Sequence, residues 1–127
     1  MTWPQKLDSV SAARDSLVCV GLDPDPRRMP VRDVAEFNRN IVDATSDLVC
    51  AYKPNIAFYE MYGSYGLESL IKTIEYIPDN IPVILDAKRG DVAHSSEAYA
   101  KSIFKIYKAD AVTVSPYMGY DSISPFM

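Results

Sequence analysis

Cysteine is scarce in this sequence, histidine occurs once, and no apolar run approaches the roughly 18 residues that a membrane span needs. Each shortage removes a class of explanation. Cys19 and Cys50 have neither CxxC spacing nor a nearby histidine, so no metal centre is expected, and both read as reduced, buried packing residues. Met1 to Leu7 lacks the apolar core of a secretory signal, which points to the cytoplasm. An excess of basic charge is missing too. With 13 Lys and Arg against 17 Asp and Glu, the formal net charge is -4, so no general attraction to nucleic acid or anionic lipid is expected. An anionic substrate would need a local cationic site. What is present, 48% hydrophobic and 24% charged residues, is the balance of an ordinary globular domain.

The first strand-like run, Leu17 to Leu22, stops at Asp23-Pro24-Asp25-Pro26. From Val31 to Leu48 the apolar residues Val34, Phe37, Ile41, Ala44 and Leu48 recur at helical spacing. The cycle then repeats. Strands are expected over Val49 to Ala57, Pro82 to Lys88 and Ala111 to Ser115. Helices are expected over Leu67 to Ile77, with Leu70, Ile71, Ile74 and Ile77 on one face, and over Ser96 to Tyr107. Strands separated by helices at intervals of about 30 residues imply βαβ units and a parallel sheet.

An open doubly wound sheet and a (β/α)8 barrel both fit this rhythm. No GxGxxG follows the first strand, and polar residues gather at the C-terminal ends of the strands, where barrel enzymes place their chemistry. A barrel takes about 250 residues, so the α/β architecture expected for residues 1–127 is a half barrel, the first four βα units of a (β/α)8 TIM-barrel domain, ending where a fourth helix should begin.

The most informative stretch is Asp86-Ala87-Lys88-Arg89-Gly90-Asp91. Side chains alternate along a strand, so Asp86 and Lys88 share the face toward the barrel axis while Val83, Leu85 and Ala87 face the helices. Buried charges are costly unless paired. Lys53, a second charge inside an apolar strand, offers a partner if the two strands are neighbours. An alternating chain Lys53, Asp86, Lys88, Asp91 then becomes possible, each neighbouring pair contributing on the order of 4 kcal/mol of gross attraction at about 4 Å. The bland reading of these residues is a satisfied Asp–Lys pair at a strand end.

Read together and in order, LVCVGLDPDP, AYKPNIAFYE, DAKRGD and ADAVTVSPYMGYD resemble the corresponding segments of bacterial orotidine 5'-phosphate decarboxylases across nearly the whole chain. The DxKxxD spacing alone is shared with related sugar-phosphate decarboxylases and aldolases. The resemblance implies a cofactor-free decarboxylation of orotidine 5'-phosphate to UMP on a (β/α)8 barrel, with no metal, in a homodimer whose active sites lie at the subunit interface. By motif position, Asp23 would contact the ribose, Lys53 would bind the ribose and position Asp86, and Asp86 would lie beside the substrate carboxylate. Lys88 would protonate C6. Asp91 would reach into the other subunit's site, with Ser95 near a further hydroxyl contact. Ser115 departs from the family pattern, standing where an asparagine is expected, and the family's phosphate- and pyrimidine-binding elements fall beyond Met127.

Two other functions compete. A magnesium-dependent sugar-phosphate enzyme of the same superfamily would carry a carboxylate where Lys53 stands. A truncated, catalytically inactive half barrel would merely fold, dimerise or aggregate. Among the remaining residues, His94 reads as a loop or helix-cap histidine, and Asp23 with Asp25 as a strand stop rather than a metal site. The tyrosines at positions 56 to 66 and 99 to 107 read as core and interface surface, with Phe58 and Tyr59 within reach of a dimer contact.

Overall fold

The computed structural model describes residues 2–127. Helix α1 (Trp3–Arg14) precedes four strands, β1 (Cys19–Leu22), β2 (Ala51–Pro54), β3 (Ile84–Arg89) and β4 (Ala111–Val114). Between them lie α2 (Val34–Thr45), the single turn α3 (Ala57–Glu60), α4 (Ser64–Tyr76) and α5 (Ala93–Lys101), which runs on into a wider π turn (Ser102–Ile106). The short helix α6 (Tyr120–Ile123) follows β4.

The strands form one parallel succession. β1 pairs with β2 in the register Gly21 to Lys53, β3 pairs with β4 from Ile84 to Ala111, and bridges at Tyr52–Val83 and Asn55–Asp86 join the two halves. The spatial order is therefore β1-β2-β3-β4, with Val20, Leu22, Tyr52, Val83, Leu85 and Ala87 turned into one core with the helices. This is the open, partial barrel expected for residues 1–127, and it decides between the two architectures that fit the strand–helix rhythm.

The helix faces depart from the simple apolar count. In α2 the buried stripe is Val34, Asn38 and Val42, whereas Leu48 lies past the helix end and is 58% exposed. A polar residue sits at the centre of that stripe with its amide nitrogen bonded twice, while its Oδ1 is buried without a hydrogen-bond partner among the described residues. Asn38 Nδ2 donates to the Tyr59 hydroxyl and to Thr73 Oγ1, both at 2.9 Å, and the Tyr59 hydroxyl donates to the Leu22 carbonyl at 2.9 Å. Most buried polar groups are bonded, and the bonds of the Asn38 nitrogen and the Tyr59 hydroxyl tie α2, α3 and α4 to the exit of β1. Tyr59 is wholly buried in the chain's own core, so it is not available for the subunit contact expected of it. Burial raises its hydroxyl pKa well above the usual tyrosine value. Gly66 lets α4 approach α3, since a Cβ there would stand 1.9 Å from the Tyr59 carbonyl oxygen.

Helix α1 has no counterpart in the apolar pattern, because among its residues only Val10 is buried. It is held by ends and charges instead: Gln5 Oε1 accepts from the Thr2 amide at 2.9 Å, and Lys6 Nζ lies 2.8 Å from Asp110 Oδ2 at the start of β4. Val10 packs on Cys50 and Ala51, closing the N-terminal end of the strands. The cysteine expectation holds for Cys50 and fails for Cys19. Both are free thiols, but Cys19 is exposed, because it shares with Gly21 the strand face turned away from the helices.

Candidate active site

Charge collects at the C-terminal ends of β2 and β3. Asp86 is 8% exposed and lies between two ammonium groups, Lys53 Nζ at 2.9 Å from Oδ2 and Lys88 Nζ at 2.7 Å from Oδ1. Thr113 Oγ1 of β4 donates to Oδ1 at 2.8 Å. The Lys88 bond, with those from Lys53 and Thr113, outweighs the opposing effect of burial and holds the Asp86 carboxyl well below the usual carboxylate range. Burial opposes the charge on Lys53, yet its bond to Asp86 and the Asp86 charge more than compensate, so its pKa is raised. The centre is thus a carboxylate bonded between two lysine side chains and held in place before any ligand arrives. The two lysines differ in access: the Lys53 side chain is 35% exposed and that of Lys88 is 70% exposed.

The backbone beneath this array is irregular. Pairing between β3 and β4 is regular at Leu85–Val112 and resumes only at Arg89–Val114, so three residues of β3 face one of β4. Within this bulge Lys88 adopts φ +49°, a left-handed conformation that costs a non-glycine residue about 1–2 kcal/mol. Such strain persists where the surroundings over-determine it. Here the Ala87 and Lys88 amides both donate to Thr113 Oγ1, at 3.1 and 3.0 Å, in place of strand-to-strand bonds. Gly90 completes the closure, because a Cβ there would stand 2.5 Å from the Ser115 carbonyl oxygen. Ser115 contributes through its backbone, its amide donating to the Arg89 carbonyl at 2.6 Å.

Of the remaining candidates, Asp23 sits at the exit of β1, exposed, and its Oδ1 accepts from the Asn55 amide at 3.2 Å, joining the ends of β1 and β2 beside Lys53. Asp25 turns elsewhere. It is bonded to Arg27 through both oxygens, at 3.0 and 2.8 Å, and the Arg27 guanidinium draws its carboxyl down to about 2. The two aspartates therefore do not form a paired site. Asp91 does not join the Lys53–Asp86–Lys88 array within this chain. Its Oδ1 accepts from the Val92 amide at 2.7 Å, and it lines an open depression with Ser95, Ala98, Tyr99 and Ser102. Ser95 and Asp91 are thus together, on a surface apart from Asp86. The neighbouring Ser96, which the motif reading passes over, is buried and holds this loop: its hydroxyl accepts from the Asp91 amide at 3.1 Å and donates to the Ser122 carbonyl at 2.7 Å. His94 is exposed in the first turn of α5 and contacts none of these groups. Thr113 is the principal residue missed. The available signal was a lone polar side chain inside the apolar strand Ala111-Val112-Thr113-Val114, the same kind of irregularity that marks Lys53.

Four parallel βα units in the order β1-β2-β3-β4, with charged side chains at the strand ends, make the chain a partial α/β barrel. The family model described as "Orotidine 5'-phosphate decarboxylase / HUMPS family" matches residues 16–127, and the chain belongs to that family. It is 53% identical over 129 residues to the orotidine 5'-phosphate decarboxylase of Herpetosiphon aurantiacus, covering 97% of this chain and 48% of that protein. With the Thermomicrobium roseum enzyme of the same name it shares 49% identity over 133 residues, covering 100% and 47%. The solved structure of Leishmania donovani OMP decarboxylase superposes with a TM-score of 0.90 at 44% identity, covering 100% of this chain and 49% of that one. The chain spans about half the length of the curated relatives it matches. No helix among the described residues is long and apolar enough to cross a membrane.

Proposed function

We propose that residues 1–127 are the N-terminal half of a single orotidine 5'-phosphate decarboxylase barrel domain and supply its reacting groups. The observation that carries this reading is the preformed Lys53–Asp86–Lys88 array in a chain of this family. In the proposed reaction the bond between C6 and the carboxylate breaks, CO2 leaves, and the electron pair left on C6 takes a proton from Lys88 Nζ. Lys88 suits that role as the more exposed of the two cations on Asp86. Asp86 lies beside the departing carboxylate, and its own charge is fixed by three donors. A carbanion developing beside an ammonium already in place needs little reorganisation, which is how preorganised electrostatics lowers a barrier.

Asp23 and Lys53 bind the ribose in this proposal. Asp91, with Ser95, serves the other subunit's site in a homodimer, in keeping with its position on an open surface away from Asp86. The reaction takes place in the cytoplasm and needs no cofactor. The test is the loss of orotidylate absorbance with matched appearance of UMP, in a protein carrying these residues within a barrel of the relatives' length, before and after EDTA treatment. Turnover that survives EDTA is expected. Turnover of a sugar phosphate that EDTA abolishes would replace this reading with the magnesium-dependent one, whose β2 carboxylate is here Lys53.

A further inference from the structure

We propose that Thr113 is a positioning residue for the charged array, its hydroxyl setting both the Asp86 carboxylate and the backbone bend that aims Lys88. A threonine hydroxyl has one hydrogen and two lone pairs. All three are used, and all on the bulge of β3: the hydrogen goes to Asp86 Oδ1 at 2.8 Å, and the lone pairs accept the Ala87 and Lys88 amides at 3.1 and 3.0 Å. Register explains why one side chain reaches all of them. Ile84 and Leu85 pair with Ala111 and Val112, so continuing the ladder sets Thr113 opposite Asp86, on the same face of the sheet. The bulge then carries Ala87 and Lys88 past it, leaving two amides without carbonyl partners and Lys88 at φ +49°. Thr113 supplies the missing acceptor. An apolar residue of the same shape would leave both amides unpaired and take one donor from Asp86.

Thr113 carries no reacting group in the proposed reaction; through its bonds to Asp86 and to the Ala87 and Lys88 amides it holds the acid and the carboxylate in their mutual orientation. Losing it should therefore slow turnover far more than it weakens ligand binding, because positioning errors of well under a bond length are felt at the reacting atoms. The kinetic part rests on the decarboxylase reading, whereas the geometric part does not.

The experiment compares Thr113→Val, isosteric without the hydroxyl, with Thr113→Ser, which keeps it, in a protein carrying these residues within a barrel of the relatives' length. Thr113→Ala replaces the valine variant if that does not fold. Amide hydrogen exchange is read at Ala87 and Lys88, the onset of Asp86 protonation by carboxyl carbon NMR, and kcat alongside UMP affinity. With valine or alanine, exchange at both amides should accelerate at least tenfold, Asp86 should begin to protonate at higher pH, and kcat should fall about 10- to 100-fold while UMP affinity changes less than threefold. Serine should restore all of these. Unchanged amide protection or unchanged Asp86 protonation in a folded valine or alanine variant overturns the proposal, as does a serine variant as impaired as valine. A loss of UMP affinity as large as the loss of kcat would also overturn it. If the unaltered protein turns over no orotidylate, the functional reading fails instead, and the exchange and NMR measurements decide the role of Thr113.

Discussion

Replacing Asp86 with asparagine keeps the shape of the side chain and the acceptor for Thr113, but removes the one negative charge between two ammonium groups. At 2.7 and 2.9 Å, and an effective dielectric near 20, each lysine gains about 6 kcal/mol of gross attraction from Asp86. Most of that is already supplied by water. The Lys88 side chain is 70% exposed, and such pairs deliver about 0.2–1 kcal/mol net, whereas breaking a fully buried pair costs about 3–5 kcal/mol. Lys53 at 35% exposure and Asp86 at 10% fall between these limits. The Asp86→Asn variant should accordingly lose about 2 kcal/mol at pH 7, a fall of roughly 6–10 °C in Tm for a chain of this size. The pH dependence separates charge from packing. Because the Asp86 pKa is depressed in the folded chain, its contribution is present above the unfolded value near 3.9 and is lost as the pH falls toward the lower folded value. The gap between wild type and Asn variant should therefore narrow by about 1 kcal/mol between pH 7 and pH 3. Urea denaturation of both proteins at the two pH values measures this. A variant as stable as wild type at pH 7, or a gap that does not narrow, would refute the claim that Asp86 is held as a carboxylate by its two lysines.

The remaining predictions concern the site and its frame. In a protein of the relatives' full length, Lys88→Ala should lower orotidylate turnover by several orders of magnitude with a much smaller effect on UMP affinity; a variant retaining more than about a tenth of the rate would remove Lys88 as proton donor. Mixing inactive Asp91→Ala subunits with inactive Lys88→Ala subunits should restore one working site per heterodimer, and demonstrated heterodimers without recovered activity would show that the sites are not shared. Gly90→Ala forces a methyl to within 2.5 Å of the Ser115 carbonyl oxygen, so β4 must shift, at a cost of about 1–3 kcal/mol in denaturant unfolding; a variant within about 0.5 kcal/mol of wild type would show that the contact relaxes freely.

Those features fixed by a period were legible in the sequence. Alternation along a strand correctly sent Leu85 and Ala87 to the helices and Asp86 to the other face, and the repeat of strands and helices placed β1 to β4 within a few residues of where they lie. What escaped was held by particular bonds rather than by periodicity. Helix α1 carries no apolar stripe and is fastened by the Lys6–Asp110 ion pair, whose partners are more than a hundred positions apart in sequence. Asn38 looks like a surface residue until Tyr59 and Thr73, on two other helices, are brought to it. Cys19 looks like a core residue because alternation alone does not say which face of β1 the helices cover.

The site escaped in part for a related reason. A motif reports which residue types are present but not where the ladder between two strands breaks, and the geometry of this site depends on that break. Charges inside strands, a lysine with positive φ, a glycine pressed on a neighbouring carbonyl and a threonine bonding to amides each violate a local rule of strand structure. Taken separately, each is an oddity that a stable sheet could absorb. Their convergence on Asp86 to Gly90 is what points to function. Natural sequences are locally consistent except where activity requires otherwise, and here the exceptions support one another: the bulge brings Lys88 back to Asp86, Thr113 satisfies the amides that the bulge exposes, and the absent side chain at Gly90 lets pairing with β4 resume one residue earlier, at Arg89. Restoring a regular strand there would remove the strain, and with it the geometry that holds a carboxylate between two cations.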